Sequence, residues 1–468
     1  MSNKKKSGKK DTSSDELKSI KSKLLSRGAS LLSVGLKTTA KAAGLAINTA
    51  LSPKEKKEEI YKEFLLDSVT ALTNEMEKLK GGIMKAGQML SIYGEHFFPK
   101  EINDVLKKLQ SQSKPVSFEE MEKAIIRSLG KERYSKIKVD PVAIGSASMG
   151  QVYKVEIEGQ ARVLKVQYPG VAKSIDSDLK AIRTVLSFTK LIPDQKKFEG
   201  IFTEVKEMLH READYGLELK SLVKHGELVG EIPGLTLPTP YPEYSTKKVL
   251  CMDYIEGRRF DDPAVTGLSI ERRNRLGVSL IHLLFKEIFE WRSVQTDPHI
   301  GNFLVQIKED GYEEDKIVLL DFGAMRKLPK SYITPFNLMA LSAVNGDPDG
   351  ILKGAEDLNF IREDDSQKMK DLFVKIILKA TEPFQEKYEG DSIDGLKVSE
   401  KDYDWGENKV VDELSAMAKD AIFSFKLRPP PREAVFVDRK LVGTAMILKT
   451  LGVKYGPRKL ALKYLDPK

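Results

Sequence analysis

Two short segments late in the chain constrain it most. Gln295-Thr296-Asp297-Pro298-His299-Ile300-Gly301-Asn302 is followed, after an apolar run, by Leu319-Leu320-Asp321-Phe322-Gly323. The first sets an amide five residues after a carboxylate, and the second opens a turn with another carboxylate. Two carboxylates and one amide supply hard oxygen donors, the set that holds divalent cations against a triphosphate. ATP handling is therefore the leading reading. Asn302 and Asp321 are the expected Mg2+ ligands, and Asp297 is placed to orient a nucleophile or take its proton. Taken singly, Asp297 before Pro298 is also a capping aspartate, and Asp-Phe-Gly is also a turn. Their order, downstream of Lys165, argues for the joint reading.

Lys165 sits in Arg162-Val163-Leu164-Lys165-Val166-Gln167. An amine inside an apolar strand is costly to bury unpaired. Paired, it meets the phosphates of ATP, and Glu218 on a following helix is the expected partner. The alternative is a packed stem with the amine snorkelling to water. Upstream, Gly145, Ser146, Ala147, Ser148, Met149, Gly150 and Gln151 form a small-residue loop whose N–H groups can cover phosphates; a plain tight turn reads the same way. Met252 and Tyr254, on a strand over 248–254 that runs into Glu256-Gly257, complete the expected nucleotide-binding set. His299 stands beside the candidate centre, with a structural role equally compatible. His210, His225 and His282 lack ligand spacing, so no zinc is assigned.

At 468 residues the chain exceeds what one core usually supports, and 41% apolar content allows a full interior. A single cysteine, Cys251, excludes a disulfide framework and a cysteine-rich zinc site. The net charge of +8 suits an anionic partner surface, but no basic–aromatic repeat points to nucleic acid. Residues 1–23 are Ser/Lys-rich with no apolar segment, unlike a secretory signal. No run reaches the roughly 18 uncharged apolar residues of a bilayer span. The expected location is the cytoplasm, or a membrane periphery in a bacterial setting. Residues 29–51 form either a surface-lying amphipathic helix or a packed one.

Periodicity predicts helices over 54–80, 83–93, 118–129, 175–191 and 201–229. It predicts a hairpin over 152–167 and strands over 303–306 and 316–320, and it leaves 402–408 as a polar surface loop. The segments divide into a tail and possible amphipathic helix over 1–53, a helical extension over 54–115, a sheet-containing lobe over 116–254 and a helical lobe over 255–468. A small sheet lobe, a hinge and a larger helical lobe make an α+β plan. It is the bilobal plan of protein kinases, with added helices in front.

The ensemble resembles the UbiB/ADCK family of atypical kinase-like proteins, which support ubiquinone synthesis. The family's Lys-x-Gly-Gln motif corresponds to Lys85, Gly87 and Gln88, and its Glu-x-Asp motif to Glu212 and Asp214. Its alanine-rich loop corresponds to 145–151, its nucleotide lysine to Lys165 and the paired glutamate to Glu218. Its catalytic-loop and metal residues correspond to Asp297, Asn302 and Asp321. Residues 428–433 and Asp438-Arg439-Lys440-Leu441-Val442-Gly443 add to the likeness, which runs over about 55–455. The resemblance implies an N-terminal helical extension folded over the active-site cleft, with Lys85 reaching Glu212 where a kinase would admit a peptide. It implies an Mg2+-dependent ATPase, or a small-molecule or lipid kinase; a nucleotide-binding scaffold is the non-enzymatic alternative. The implied partners are ATP, an isoprenoid or phenolic lipid precursor, an anionic membrane surface and other quinone-biosynthesis proteins. Two departures stand out. Gly145 and Ser146 replace alanines of the loop, and the paired C-terminal membrane segments of many bacterial relatives are missing.

Overall fold

The computed structural model describes residues 85–90, 116–147, 149–188, 195–297, 299–308, 315–390, 395, 397–424 and 431–466. The expected helices over 29–51 and 54–80, and most of that over 83–93, lie outside them. The chain divides into two compact units. The first holds residues 1–158, 164–214 and 246–249; the second holds 159–163, 215–245 and 250–468.

In the first unit, helix α1 (Phe118–Leu129) buries Met121, Ile125 and Leu129, a single stripe spaced by four residues. Glu119 and Glu120 complement the positive end of its dipole, and Gly130, at φ +83°, ends it. Strand β1 (Ile137–Ala147) pairs antiparallel with β2 (Gly150–Ile157). β1 was not anticipated, because Pro141 argues against a strand interior. The strand accommodates it at a register shift between Val139 and Ala143, on the sheet edge. β2 alternates, burying Tyr153, Val155 and Ile157. Glu158 and Gly159 then take φ +54° and +77°, the left-handed pair that a tight hairpin turn requires. Strand β3 (Gln160–Gln167) is buried continuously from Val163 onward. Helices α2 (Val171–Phe188) and α3 (Gln195–Glu212) follow, with Asp176 on α2 within 3.0 Å of both Lys206 and His210 on α3.

The helix expected over 201–229 is two helices. α3 stops at Glu212, and α4 (Tyr215–Gly230) begins after Asp214. Apolar periodicity runs on without a proline, and Gly216 is the only local sign of the break. Glu212 and Asp214 therefore flank a corner, and Asp214 does not share a helical face with Glu218.

In the second unit, α4 is followed by a two-residue strand, β4 (Leu235–Thr236). Strand β5 (Val249–Asp253) comes next and completes the four-stranded sheet β1-β2-β3-β5. Helix α5 (Ile270–Phe285) is capped by the Ser269 hydroxyl, which accepts from the Arg272 N–H, and it runs into a π-helical turn over Lys286–Glu290. Strands β6 (Ser293–Gln295), β7 (Phe303–Gln306), β8 (Lys316–Leu319) and β9 (Met325–Lys327) frame the central loops. β7 and β8 are antiparallel, and β4 adds in parallel on the other side of β8. β6 pairs antiparallel with β9. At three residues each, these two strands are too short to show a period.

Helices α6 (Lys330–Val344), α7 (Pro348–Asp357), α8 (Gln367–Ala380), α9 (Val410–Ser424), α10 (Arg432–Leu451) and α11 (Arg458–Leu465) complete the unit. The stretch over 402–408 is not a polar surface loop. Tyr403, Trp405 and Asn408 are buried, and the Trp405 indole N–H donates to the Tyr455 carbonyl at 3.2 Å. Its charged residues alternate with aromatic anchors, and the anchors decide the packing. Among the described residues, no helix is long and apolar enough to cross a membrane.

Candidate functional site

In the first unit, the expected loop over 145–151 is largely strand. Ser146 pairs with Gln151 and Ala147 with Gly150, leaving a tip at 148–149; Ser148 lies outside the described residues. Gly145 is the third residue from the end of β1. Met149 is buried, and its carbonyl accepts from the Tyr168 N–H at 2.9 Å. The Gln151 side chain is spent on protein. Its Oε1 accepts from the Val116 N–H at 2.6 Å, and its Nε2 donates to the Tyr153 hydroxyl at 2.7 Å.

Lys165 is buried in the middle of β3. Two residues on, Gln167 Nε2 donates to the Ala213 carbonyl at 2.7 Å, pinning the α3–α4 corner to the same strand. Lys85 Nζ lies 3.2 Å from Glu212 Oε1, with the side chains 7% and 17% exposed. Asp214 instead faces the exposed Lys247 at 3.6 Å. The two acids of the Glu-x-Asp motif thus address different cations. Gln88, half-buried, lies one helical turn from Lys85.

The second unit gathers the acidic and amide groups. The Gln295 side chain brackets Asp297: its Nε2 donates to the Asp297 carbonyl at 2.9 Å, and its Oε1 accepts from the Asp297 N–H at 3.1 Å. Asn302 Nδ2 donates to the same carbonyl at 2.8 Å. The Asn302 carbonyl in turn accepts from the Leu320 N–H at 2.9 Å, tying the residue before Asp321 to this loop. His299 Nδ1 accepts from the Gly301 N–H at 3.0 Å, which gives it the capping role left open by the sequence.

Asp321 Oδ1 accepts from the Gly323 N–H at 2.8 Å. A Cβ on Gly323 would stand 3.2 Å from that oxygen and 3.6 Å from Glu218 Oε2, so the Glu218 and Asp321 carboxylates approach one another across a glycine. Glu218 is buried in the first turn of α4. Phe322 is buried with its ring 5.7 Å from that of His225, also on α4. Desolvation holds the His225 imidazole below its ordinary pKa. Met252 is buried in β5, and the Tyr254 N–H donates to the Ala161 carbonyl at 3.3 Å. Between them, Asp253 is fixed by the Tyr241 hydroxyl at 2.6 Å and the Thr239 N–H at 3.1 Å.

The sequence reading assigned no contact to α10. Arg439 Nη2 lies 3.6 Å from Asp297 Oδ1. Its neighbour Lys440 places Nζ 2.8 Å from Glu287 Oε2, in the π-turn after α5. Burial pushes the Glu287 carboxyl up, against the downward pull of Lys440. The available signal was two adjacent cations inside an apolar helix, where at least one must meet a buried acid. The candidate metal ligands offer carboxylate and amide oxygen. That hard donor set suits Mg2+, which takes its remaining ligands from phosphate and water.

Comparison with known proteins bears on this arrangement. Residues 108–355, more than half of the chain, match the ABC1 atypical kinase-like domain. The chain is 30% identical to the mitochondrial atypical kinase COQ8 of Saccharomyces cerevisiae, over 84% of this chain and 75% of that one. It is 28% identical to the mitochondrial atypical kinase COQ8B of Danio rerio, over 84% of this chain and 60% of the relative. Among solved structures, Rv3197 of Mycobacterium tuberculosis in complex with erythromycin superposes with a TM-score of 0.58 at 21% identity, covering 87% of this chain and 98% of that one. That likeness is one of fold. An enzyme of kinase type, with a mixed sheet-and-helix α+β architecture, this chain belongs to the ABC1 atypical kinase-like family, the UbiB group that includes the COQ8 and ADCK proteins.

Proposed function

We propose that this chain is an Mg2+-dependent ATPase acting in the synthesis or handling of ubiquinone or a related isoprenoid lipid. The observation that carries this reading is the bracketed loop of the second unit. There Asp297, Asn302 and Asp321 are tied together through main-chain and amide hydrogen bonds. Asn302 and Asp321 would hold Mg2+, which when bound neutralises charge on phosphate oxygens. Lys165, with Glu218 as its counter-charge, and the hairpin tip with Gly150 would receive the phosphates; Met252 and Tyr254 would flank the base. Asp297 would accept a proton from water, with Arg439 as a charged neighbour that restrains the carboxylate's orientation.

Lys85 and Gln88, with Glu212 and Asp214, would stand where a protein substrate would otherwise enter. A pair buried to the degree of Lys85 and Glu212 opposes such entry, because separating it gives up the attraction between two sheltered charges. Water or a small hydroxyl is accordingly the acceptor. The lipid context rests on what the COQ8 relatives are called, and on the +8 charge that suits an anionic membrane.

The deciding experiment incubates the purified full chain with γ-labelled ATP, Mg2+ and vesicles of anionic phospholipid plus a total lipid extract. Free labelled phosphate that needs Mg2+ and disappears in Asp297→Asn is the expected result. Label on an extracted lipid would move the assignment to a lipid kinase. ATP binding without turnover, unchanged in Asp297→Asn, would refute the enzymatic reading.

A further inference from the structure

We infer that Glu287 and Lys440 are positioning residues. Together they fix the main chain entering the catalytic loop, and they make α10 a support of that loop rather than an added outer layer. The inference rests on the proposed role of Asp297. Three observations lead to it. First, Lys440 Nζ and Glu287 Oε2 are 2.8 Å apart with side chains only 3% and 4% exposed. A buried pair of this kind is often no more stabilising than an apolar pair of equal volume, so it calls for a role beyond stability. Second, Glu287 Oε2 also accepts from the Gln295 N–H at 3.1 Å, and the Gln295 side chain holds both the N–H and the carbonyl of Asp297. The path from Lys440 to Asp297 is therefore one unbroken run of polar contacts. Third, Glu287 sits in the π-helical turn over Lys286–Glu290, a rare geometry that often marks functional sites.

The consequence is mechanical. Arg439 and Lys440 are neighbours on one helix, and each meets an acid on a different part of the loop region. Lys440 anchors the strand that leads into the loop, and Arg439 meets the carboxylate at its head. A shift of α10 would move both contacts together. A displacement of about 1 Å at a reacting group is enough to cost roughly a hundredfold in rate.

Two double variants of the full chain test this. Glu287→Leu with Lys440→Met removes both charges and also the acceptor for the Gln295 N–H. Glu287→Gln with Lys440→Met removes both charges but keeps that acceptor. Each leaves one buried donor group unsatisfied, so their stabilities should be similar. Their loops should not be. We expect amide exchange over 293–297 to be about tenfold faster in the Leu/Met variant than in the Gln/Met variant. Phosphate release should fall in both variants with KM for ATP held, and kcat should be about tenfold lower in the Leu/Met variant than in the Gln/Met variant. Equal exchange over 293–297 in the two variants would overturn the inference, because a purely structural pair cannot distinguish them. If wild-type protein released no phosphate, the proposed function would fail, yet the exchange comparison would still decide this point. Should the Leu/Met variant not fold, Glu287→Asp keeps both charges but draws the oxygen that Lys440 and the Gln295 N–H share back by one methylene. Exchange over 293–297 no faster than wild type in that variant would equally refute the idea.

Discussion

Replacing Lys85 with Met should destabilise the first unit severely, and the size of the effect follows from the pair it leaves behind. Lys85 and Glu212 stand 3.2 Å apart, at 7% and 17% exposure. With an effective dielectric near 20, two unit charges at that distance attract by about 5 kcal/mol. Taking both groups out of water offsets most of this, so the net coupling should be about 1–3 kcal/mol. The single variant should cost more than the coupling, roughly 3–5 kcal/mol, because the sheltered Glu212 carboxylate loses the Lys85 cation. A loss of that size lowers the melting temperature by roughly 5–10 °C. The assay is a double-mutant cycle of wild type, Lys85→Met, Glu212→Gln and the double variant, followed by urea unfolding. Salt supplies an internal control. An exposed pair would lose most of its coupling in 1 M NaCl, where the Debye length is about 3 Å, whereas a pair this sheltered should keep more than half. A coupling below about 0.5 kcal/mol, or one abolished by salt, would refute the reasoning and reduce the Lys-x-Gly-Gln contact to a surface ion pair.

Three further outcomes follow from the same physics. Asp315 accepts from Arg272 Nε at 2.6 Å, Arg272 Nη2 at 2.5 Å and the Lys308 N–H at 3.1 Å; Asp315→Ala should therefore cost roughly 3–5 kcal/mol in urea unfolding. Burial lowers the His282 imidazole to about 4, with Lys463 and Lys286 adding to the effect. The unfolded chain, with this group near 6.5, binds the extra proton first, so stability should be full above pH 6.5 and decline toward pH 4 by up to about 1.4 kcal/mol per pH unit. His282→Gln should flatten that limb of the stability–pH curve. Burial pushes the Cys251 thiol up to about 12, so a thiol reagent at pH 8 should label it only after unfolding; rapid native labelling would contradict the placement.

The contrast between what the sequence disclosed and what it hid has a physical pattern. Local spacing gave a local signal: Asp297, Asn302 and Asp321 lie in the short loops that their spacing marks. The β2–β3 hairpin was legible because Gly159 marks a turn between two apolar runs, although the turn falls on Glu158-Gly159 rather than on Gly159-Gln160. Features that depend on distant partners were not. β6 and β9 exist because each pairs with the other across the Asp-Phe-Gly segment, and three residues carry no period of their own. The corner at Ala213 is fixed by Gln167 on a distant strand, so beside it in sequence only Gly216 hints at a stop.

Arg439 and Lys440 carry this argument furthest. Their helix lies more than a hundred residues beyond Asp321, and a cation pair inside an apolar helix signals a buried acid without naming which one. Only the fold reveals that the two side chains part, one to Asp297 and one to the buried Glu287. A kinase fold can place its acids with local motifs, because a metal and a phosphate tolerate several approaches. It cannot hold an aspartate in one orientation by local means, since a loop of this length has too few contacts of its own. Rigidity at Asp297 has to come from a packed element elsewhere in the chain, and here that element is α10. The same reasoning says where damage should be tolerated. Exposed α10 residues such as Leu441 and Met446 should accept polar substitution within about 0.5 kcal/mol, while Lys440, one residue from Leu441, should not. A Leu441→Gln variant as unstable as Lys440→Met would show that the whole helix face matters, and would remove the special standing given to the buried cation.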